Sequence, residues 1–339
     1  MKKLFFGILA MAAMAACSTE EAIVTPKGEA IAFGNAFVDN SVRAEAATDP
    51  SYSTIADKGV ALTKFNVYGA VNGVNIFNGN EVSKGDADYG VAWSLDGAAQ
   101  YWIAGASYKF VAVVDGKKTV TVGEETTTIT ETIVDTTTGL PTTIKYTVDG
   151  KTDLLCKVAT VTNAAADQGM VAFGFSHLLS KVNFSVENTT NQAATNYRIV
   201  LTEAKITNTY ADGVYSVDAD KWTPGTTAPY VLENLTIESA KTQYHSHEIL
   251  LIPGTATSTV AENDEDVKVG LTIKANIQAT SDSGANWTTV STLSKEFDNV
   301  VALDKGKAYN FIVELGIGNE IKFTATQMTD WVDGGTITK

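Results

Sequence analysis

The residues that could bind a metal ion are few in this sequence. His245 and His247 stand two positions apart in a strand-like segment, so their side chains would share one face and could supply half of a metal site. No third ligand lies nearby in the sequence, so we favour the alternative of exposed or capping histidines. The acidic run Asp264-Glu265-Asp266 lacks the spaced pattern and central glycine of a calcium loop. The sequence therefore predicts no metal and no cofactor.

Residues that could act as a nucleophile or a base are equally sparse. The chain contains no Gly-x-Ser-x-Gly, His-Glu-x-x-His, phosphate-loop or Gly-x-Gly-x-x-Gly motif. Cys156 follows two leucines and has the surroundings of an inert buried thiol. His177 follows an apolar strand, where a packed and hydrogen-bonded ring is expected. Because no set of groups combines nucleophile, base and oxyanion donor, we expect no enzymatic activity.

A group of aromatic residues could bind a ligand by stacking. Trp93, Tyr101, Trp102 and Tyr108 lie close together in the sequence. On the surface they would form a platform for a sugar ring, with Trp93 or Trp102 as the stacking residue. In the interior the same residues would fill a sandwich core, which we favour. The exposure of the two indoles distinguishes these alternatives, and a glycan-binding surface protein that does not polymerise stays open as a second function.

The N-terminus predicts export and a lipid anchor. After Lys2 and Lys3, the apolar run Leu4–Ala16 covers 13 residues, too few to span a bilayer, so residues 1–16 are predicted to be a signal peptide. Met14-Ala15-Ala16-Cys17 resembles a bacterial lipobox, which implies acylation of Cys17 and attachment to outer-membrane lipid. The alternative is an ordinary secretory cleavage site followed by a chance cysteine. Ser-Thr-Glu-Glu at residues 18–21 resembles the acidic tag of lipoproteins exported to the cell surface in Bacteroidetes.

Charge and cysteine content exclude several classes of partner. The formal net charge is −14, and it becomes −16 when Lys2 and Lys3 leave with the signal peptide. Such an acidic chain will not bind nucleic acid by charge, whereas acidity suits solubility at a cell surface. With Cys17 acylated, Cys156 has no intramolecular partner, so neither a disulfide nor a cysteine-based zinc site is expected.

The dominant pattern beyond the signal peptide is alternation of apolar and polar residues with period two. The clearest run covers residues 267–277, and similar runs occur near residues 65–71, 182–186 and 309–315. Threonine is abundant and no long amphipathic helix is visible. We therefore predict an all-β, antiparallel sandwich protein with hairpin turns. The predicted turns are Asn72-Gly73, Asn78-Gly79, Asp96-Gly97, Asp115-Gly116, Asp149-Gly150 and Asp212-Gly213.

The predicted organisation is a tether followed by two domains. Residues 17–43 form the lipid tether and first strand, residues 44–178 an N-terminal β-sandwich, and residues 179–339 a C-terminal β-sandwich. The boundary is placed near Ser176–Ser180, where one apolar strand ends and another begins. Thr119–Thr147 is predicted to be an extended exposed hairpin, with a disordered loop as the alternative.

A series of strand-like segments follows a fixed order along nearly the whole mature chain. They are Ile31 to Asn35, Phe65 to Gly69 with Ile76-Phe77-Asn78, Tyr101-Trp102 with Tyr108 to Ala112, Phe175 to Val182, Leu251-Ile252-Pro253, Gly306 to Tyr309 and Ile321 to Trp331. In this order they resemble the fimbrillin family of Bacteroidetes, the pilins of type V fimbriae. The resemblance implies two tandem transthyretin-like sandwiches and a fimbrial building block or adhesin. It also implies other fimbrial subunits as partners, and a host or bacterial surface ligand.

The resemblance gives the first strand a particular role. Glu29–Val38 is predicted to be one strand, with Ile31, Phe33 and Phe37 on its bulky face. In the family this strand leaves after proteolysis, and a strand from another subunit takes its place. We therefore expect these three side chains to fill a groove that is later refilled.

The predicted processing site is Arg43. It is one of two arginines in the chain and stands in the small, polar stretch of residues 39–50, whereas Arg198 lies in a predicted strand. Family members are cut after a basic residue in such a linker, so cleavage between Arg43 and Ala44 is expected. The alternative is that Arg43 is only a linker charge. Residues 332–339 are short for a donated strand, so either Ile321–Trp331 swings out as well, or this subunit accepts a strand and donates none, as a tip or accessory subunit would; we favour the second.

Overall fold

The computed structural model describes residues 28–38, 62–85, 93–189, 196–232, 235–238, 245–254, 267–316 and 321–328. Within these ranges the chain is all-β, as predicted, and no helix there is long and apolar enough to cross a membrane. The strands are β1 (Phe33–Val38), β2 (Lys64–Val71), β3 (Val74–Lys84), β4 (Trp93–Leu95), β5 (Tyr108–Val114), β6 (Lys117–Val122), β7 (Glu125–Val134), β8 (Pro141–Thr147), β9 (Leu155–Val161), β10 (Val171–His177), β11 (Ser180–Asn188), β12 (Tyr197–Thr207), β13 (Asp212–Ser216), β14 (Lys221–Pro224), β15 (Tyr230–Leu232), β16 (Leu235–Glu238), β17 (His245–Leu251), β18 (Lys268–Ala279), β19 (Thr288–Ala302), β20 (Ala308–Leu315) and β21 (Lys322–Met328).

The N-terminal strands form a seven-stranded sheet with the order β1-β10-β9-β5-β2-β3-β4. Its two edge strands, β1 and β4, contact each other, so the sheet rolls around its own apolar face. We call it the rolled sheet. Its interior is mostly aromatic because successive strands direct phenylalanines inward at every second position. The interior residues include Phe33, Phe65, Phe77, Trp102, Tyr108, Phe110, Phe173 and Phe175.

The turn prediction holds at one Asn-Gly pair and is wrong at another. Asn72 and Gly73 have φ angles of 47° and 82°, which suits the two-residue turn between β2 and β3. Asn78-Gly79 instead lies inside β3, where the pairing register shifts and Gly79 has a φ of 78°. An Asn-Gly pair that favours a positive φ angle can therefore form a bulge within a strand as well as a turn between two strands. Asp212-Gly213 likewise lies within β13.

The C-terminal strands form two sheets that pack face to face. One has the order β17-β11-β20-β21, and the other has the order β15-β12-β18-β19 with β16 also paired to β12. Valine, isoleucine and leucine dominate the core between them. We call this unit the C-terminal sandwich. The pairing is not antiparallel throughout, because β11 and β20 run parallel, as do β1 and β10 in the rolled sheet.

A fourth sheet, which we call the middle sheet, combines strands from both halves of the sequence. Its order is β14-β13-β8-β7-β6, and β8 pairs with β13 along five residue pairs, from Asp212–Thr147 to Ser216–Thr143. Thr119–Thr147 is therefore not one exposed hairpin: residues 121–128 at the β6–β7 tip are all exposed, whereas β8 is central in this sheet and buries Ile144 and Tyr146. A third core lies beneath it and includes Tyr146, Cys156, Leu179, Trp222 and Leu250. Leu178 and Leu179, at the position predicted as a boundary, are themselves buried in this core.

Candidate functional site

Strand β1 is an edge strand with one hydrogen-bonded neighbour. It pairs with β10 in parallel, Phe33 opposite Val171 and Val38 opposite Phe175. The residues before it are held on both sides: the N–H of Ile31 donates to the carbonyl of Gln100 at 2.7 Å, and the N–H of Val171 donates to the carbonyl of Ala32 at 2.9 Å. The strand therefore closes the gap between β10 and β4 in the rolled sheet.

Two of the three predicted groove-filling side chains lie inside the core. Ile31 and Phe33 are 4% and 3% exposed. The Phe33 ring meets three other rings, with centroid distances of 5.4 Å to Phe77, 5.5 Å to Phe110 and 5.9 Å to Phe173. Because these rings come from β3, β5 and β10, Phe33 connects three other strands across the interior. Burial of Ile31 and Phe33 corresponds to about 3–6 kcal/mol of apolar transfer.

The third predicted residue, Phe37, follows a shift in the pairing register of β1. The shift lies between Gly34 and Phe37, and the backbone of Phe37 is opposite Gly174. A bulge adds one residue to a strand, so a strict period of two cannot be extended from Phe33 to Phe37. The side chain of Phe37 lies outside the described part of the structure, and its role as a groove filler stays a prediction.

The aromatic residues proposed for sugar stacking are not a surface platform. Trp102 is 2% exposed and packs edge to face against Tyr108, with ring centroids 4.7 Å apart. Trp93 is half-buried and lies 5.4 Å from the ring of Phe65. Of the group, Tyr101 has the largest exposure, 41%. A sugar needs the free face of a ring, so the geometry does not support stacking at the buried Trp102. Without Trp102, the half-buried Trp93 does not form an exposed pair of indoles.

Cys156 and His177 are both buried. Burial raises the pKa of the Cys156 thiol to about 12, which leaves almost none of the reactive thiolate at neutral pH. Nδ1 of His177, at the end of β10, lies 2.8 Å from Oδ2 of Asp153, just before β9, and both side chains are buried. These contacts give the two residues structural roles within the part of the chain described.

The histidine pair and the acidic run supply no metal site in the described residues. His245 and His247 lie in β17, opposite Val186 and Phe184, but their side chains are outside what the structure describes. Asp264-Glu265-Asp266 falls wholly outside it. Within the ranges given above, no group of three metal-ligating side chains comes together.

The predicted processing elements divide between described and undescribed residues. Cys17, Arg43 and Ala44 lie outside the described ranges. Arg198 lies in β12, paired on one side with Glu238 and on the other with Gln278. Its Nε donates to Oε1 of Gln278 at 2.7 Å, and its guanidinium lies 4.5 Å from the centroid of a tryptophan ring. A protease that needs an extended substrate cannot bind this backbone while the strand stays paired.

Several residues around the cores gave no signal in the sequence. Lys181 is 1% exposed, with Nζ 3.9 Å from Oε1 of Glu248. Trp222 donates its Nε1–H to the carbonyl of Leu178 at 2.6 Å, which attaches the middle sheet to the segment linking the two halves. Met170, which is 48% exposed, lies against Gly34 of β1. An alternation pattern cannot reveal such contacts, because each joins residues from different strands.

The chain is all-β and combines a rolled sheet, a sandwich and a parallel edge strand. Comparison with known families identifies the class of protein that has these features. The sequence model of the fimbrillin-like family matches residues 55–331, and the chain belongs to that family. No protein with a curated function matches the sequence. Membership indicates a fimbrial or adhesin-type subunit that acts at the cell surface with other fimbrial subunits.

One solved structure supports the fold, and two others with lower TM-scores are also similar to the chain. The chain is similar to a fimbrial protein from Bacteroides vulgatus, with 16% identity, a TM-score of 0.50, and coverage of 79% of this chain and 93% of that one. A proposed cell adhesion protein from Bacteroides uniformis has 16% identity, a TM-score of 0.48, and coverage of 82% and 96%. Another from Bacteroides ovatus has 17% identity, a TM-score of 0.48, and coverage of 91% and 99%.

Proposed function

We propose that the protein is a subunit of a type V fimbria, exported as a lipoprotein and assembled by strand exchange after its first strand is cut away. The observation that carries this proposal is the position of β1. As a strand, β1 pairs with β10 alone, and the residues just before it make only single hydrogen bonds to Gln100 and Trp102 on the other side; Ile31 and Phe33 of this segment lie in the core of the rolled sheet. A strand so placed can leave without breaking any other strand pair.

Its departure would leave an unstable surface. The edge of β10 would expose unpaired N–H and C=O groups, and the cavity left by Phe33 would expose three phenylalanine rings. Such an edge favours the addition of a strand from another chain, whose main-chain hydrogen bonds supply affinity and whose side chains fill the pockets. The groove is therefore the site at which another subunit is joined.

The proposed cut lies between Arg43 and Ala44. Arg198, the second arginine of the chain, is held in a strand paired on both sides. An arginine-specific protease would therefore find one susceptible bond. The family match begins at residue 55, so the matched part of the chain remains intact after such a cut.

The proposed anchor is the acylated Cys17, which would hold the precursor in the outer membrane. Several acyl chains on one residue give stable attachment, whereas one chain does not. Cleavage at Arg43 would then separate the body of the protein from the anchor. A Cys17→Ser variant should remain unprocessed or become soluble; a membrane-bound variant with normal processing would contradict the lipid assignment.

The test of cleavage is N-terminal sequencing of surface material from cells with Arg43→Ala. We expect the native protein to begin at Ala44, and we expect both this terminus and higher-order assemblies to be lost in the variant. Arg43→Lys tests the requirement for arginine itself. Arg198→Lys is the matched control and should leave processing unchanged. An intact lipidated N-terminus on every native surface copy would refute the proposal.

A further inference from the structure

The groove of the rolled sheet is shaped for one particular residue at the position after Phe33. A Cβ atom at Gly34 would overlap Sδ of Met170 and would lie 3.2 Å from Cδ1 of Trp93. Met170 immediately precedes β10 and Trp93 begins β4, so side chains from both sides of the groove meet over this glycine. We call Met170 and Trp93 the clasp.

The preference for glycine at this position is steric, because a Cβ there would displace the flexible and 48% exposed side chain of Met170 and would press against Trp93. The φ angle of Gly34 is not positive, so an alanine could adopt the same backbone conformation. An alanine would even be favoured in a strand because it loses less backbone entropy than glycine. The small size of Gly34 is therefore what allows the clasp to close.

The neighbouring positions have different requirements. Position 33 is enclosed by three phenylalanine rings and requires an aromatic side chain, whereas Ala32 points outward and is exposed. Position 31 is a buried aliphatic site. A strand in this groove is thus recognised by the order aliphatic, unrestricted, aromatic, glycine, running parallel to β10.

We infer that the clasp and the aromatic pocket select the incoming strand, and that the partner is a fimbrial subunit whose donated strand carries an aromatic residue followed directly by glycine. This inference rests on the proposed function and adds the chemistry by which the partner is recognised. Met170 and Trp93 are the residues that determine specificity at the glycine, and Phe77, Phe110 and Phe173 determine it at the aromatic position.

The experiment uses the full chain with a sequence-specific protease site inserted between Asp49 and Pro50, so that release of β1 does not depend on Arg43. After cleavage, fluorescent peptides of residues 28–38 are offered in excess, and capture is measured by anisotropy. The native peptide should be captured. Phe33→Ala should weaken capture more than about a hundredfold, and Gly34→Ala by about three- to tenfold, because the Met170 side chain can partly move aside. Ala32→Val, which adds bulk at the exposed neighbour, is the control and should bind like the native peptide.

A change in the groove completes the test. In a Met170→Ala chain the Gly34→Ala peptide should be captured as well as the native peptide, because the overlapping sulfur has been removed. Equal capture of the native and Gly34→Ala peptides by the unmodified chain would overturn the inference. Loss of capture for Gly34→Ala with no recovery in Met170→Ala, or no capture of the native peptide, would also overturn it.

Failure of the proposed function has a different signature. If Arg43 is never cut on the cell surface, the processing proposal fails, but the peptide selectivity of the groove is unaffected. A peptide of residues 329–339 has no aromatic residue followed by glycine, so it should be captured no better than the Phe33→Ala peptide. Preferential capture of this peptide would show that the groove recognises a different pattern.

Discussion

The rolled sheet and the C-terminal sandwich each contain one parallel strand pair, in opposite settings. In the sandwich, β11 and β20 match along eight consecutive residue pairs, from Lys181–Ala308 to Asn188–Leu315, with no shift in register. Both strands lie inside their sheet, with β17 beyond β11 and β21 beyond β20. In the rolled sheet, β1 lies at the edge and its pairing with β10 is interrupted by a bulge.

This difference shows what makes a strand removable. Release of β20 would break hydrogen bonds on two sides and expose Tyr309, Phe311, Val313 and Leu315, all fully buried. Release of β1 with the residues before it breaks one ladder and a few single hydrogen bonds, such as that from Ile31 to Gln100, and exposes Ile31 and Phe33. Both strands bury side chains deeply, so burial alone does not distinguish a removable strand from a fixed one. The number of neighbouring strands does, because β20 is paired with two strands and β1 with one.

Paired core substitutions give the largest expected effect and test this contrast. Phe33→Ala and Phe311→Ala should each cost about 3–5 kcal/mol, because each removes a fully packed ring. Hydrogen exchange should differ: Phe33→Ala should accelerate exchange in β1 and β10 alone, whereas Phe311→Ala should accelerate it throughout the sandwich. Uniform acceleration across β18 in Phe33→Ala would show that β1 is not locally removable.

The middle sheet can be broken to ask whether the two regions unfold together. Val214 lies in β13, between Lys145 of β8 and Thr223 of β14, so Val214→Pro should cost about 3 kcal/mol through lost ladder bonds. We expect one thermal transition in the native chain and two in the variant by calorimetry. Val122→Ala at the exposed hairpin tip is the control and should shift stability by less than about 0.5 kcal/mol.

Alkaline pH should weaken the middle core through Cys156. Its folded pKa, about 12, lies above the unfolded value, so its contribution is present below about pH 9 and is lost as pH rises toward 12. The loss approaches about 1.4 kcal/mol per pH unit for this one group. Denaturant unfolding at pH 8 and pH 10 should therefore show a smaller decrease in Cys156→Ala. If stability falls by the same amount in the variant and in the native chain, the pH effect comes from other groups. Tyr309 is one such group, because burial raises its pKa to about 12.

The smallest effect is expected at the ion pair that connects the rolled sheet to the β13–β14 turn. Nζ of Lys109 lies 2.5 Å from Oδ1 of Asp218, and the carboxylate side chain is 67% exposed. Exposed pairs contribute about 0–1 kcal/mol, so Asp218→Asn should lower stability by less than about 1 kcal/mol, and less in high salt. A larger loss of stability that persists in high salt would mean that the β13–β14 turn is held against the rolled sheet by packing, and not by the ion pair.

Much of the strand content follows from the sequence alone. The alternation in residues 267–277 and 309–315 predicts β18 and β20, and the Asn72-Gly73 pair predicts the first hairpin turn. The order of the segments also led to the fimbrillin family, which the comparison confirms. These features depend on residues that are close in the chain, where side-chain period and turn geometry act directly.

Tertiary structure decided which strands pair and which residues fill the groove. The bulge in β1 between Gly34 and Phe37, the crossing of β8 and β13 into one sheet, and the burial of Trp102 have no local signature. Neither does the clasp over Gly34, since Met170 and Trp93 are distant from it in sequence. The alternation of apolar and polar residues indicates which side chains of a strand face inward. The neighbouring strand with which it pairs depends on which of several long-range packing arrangements is most stable.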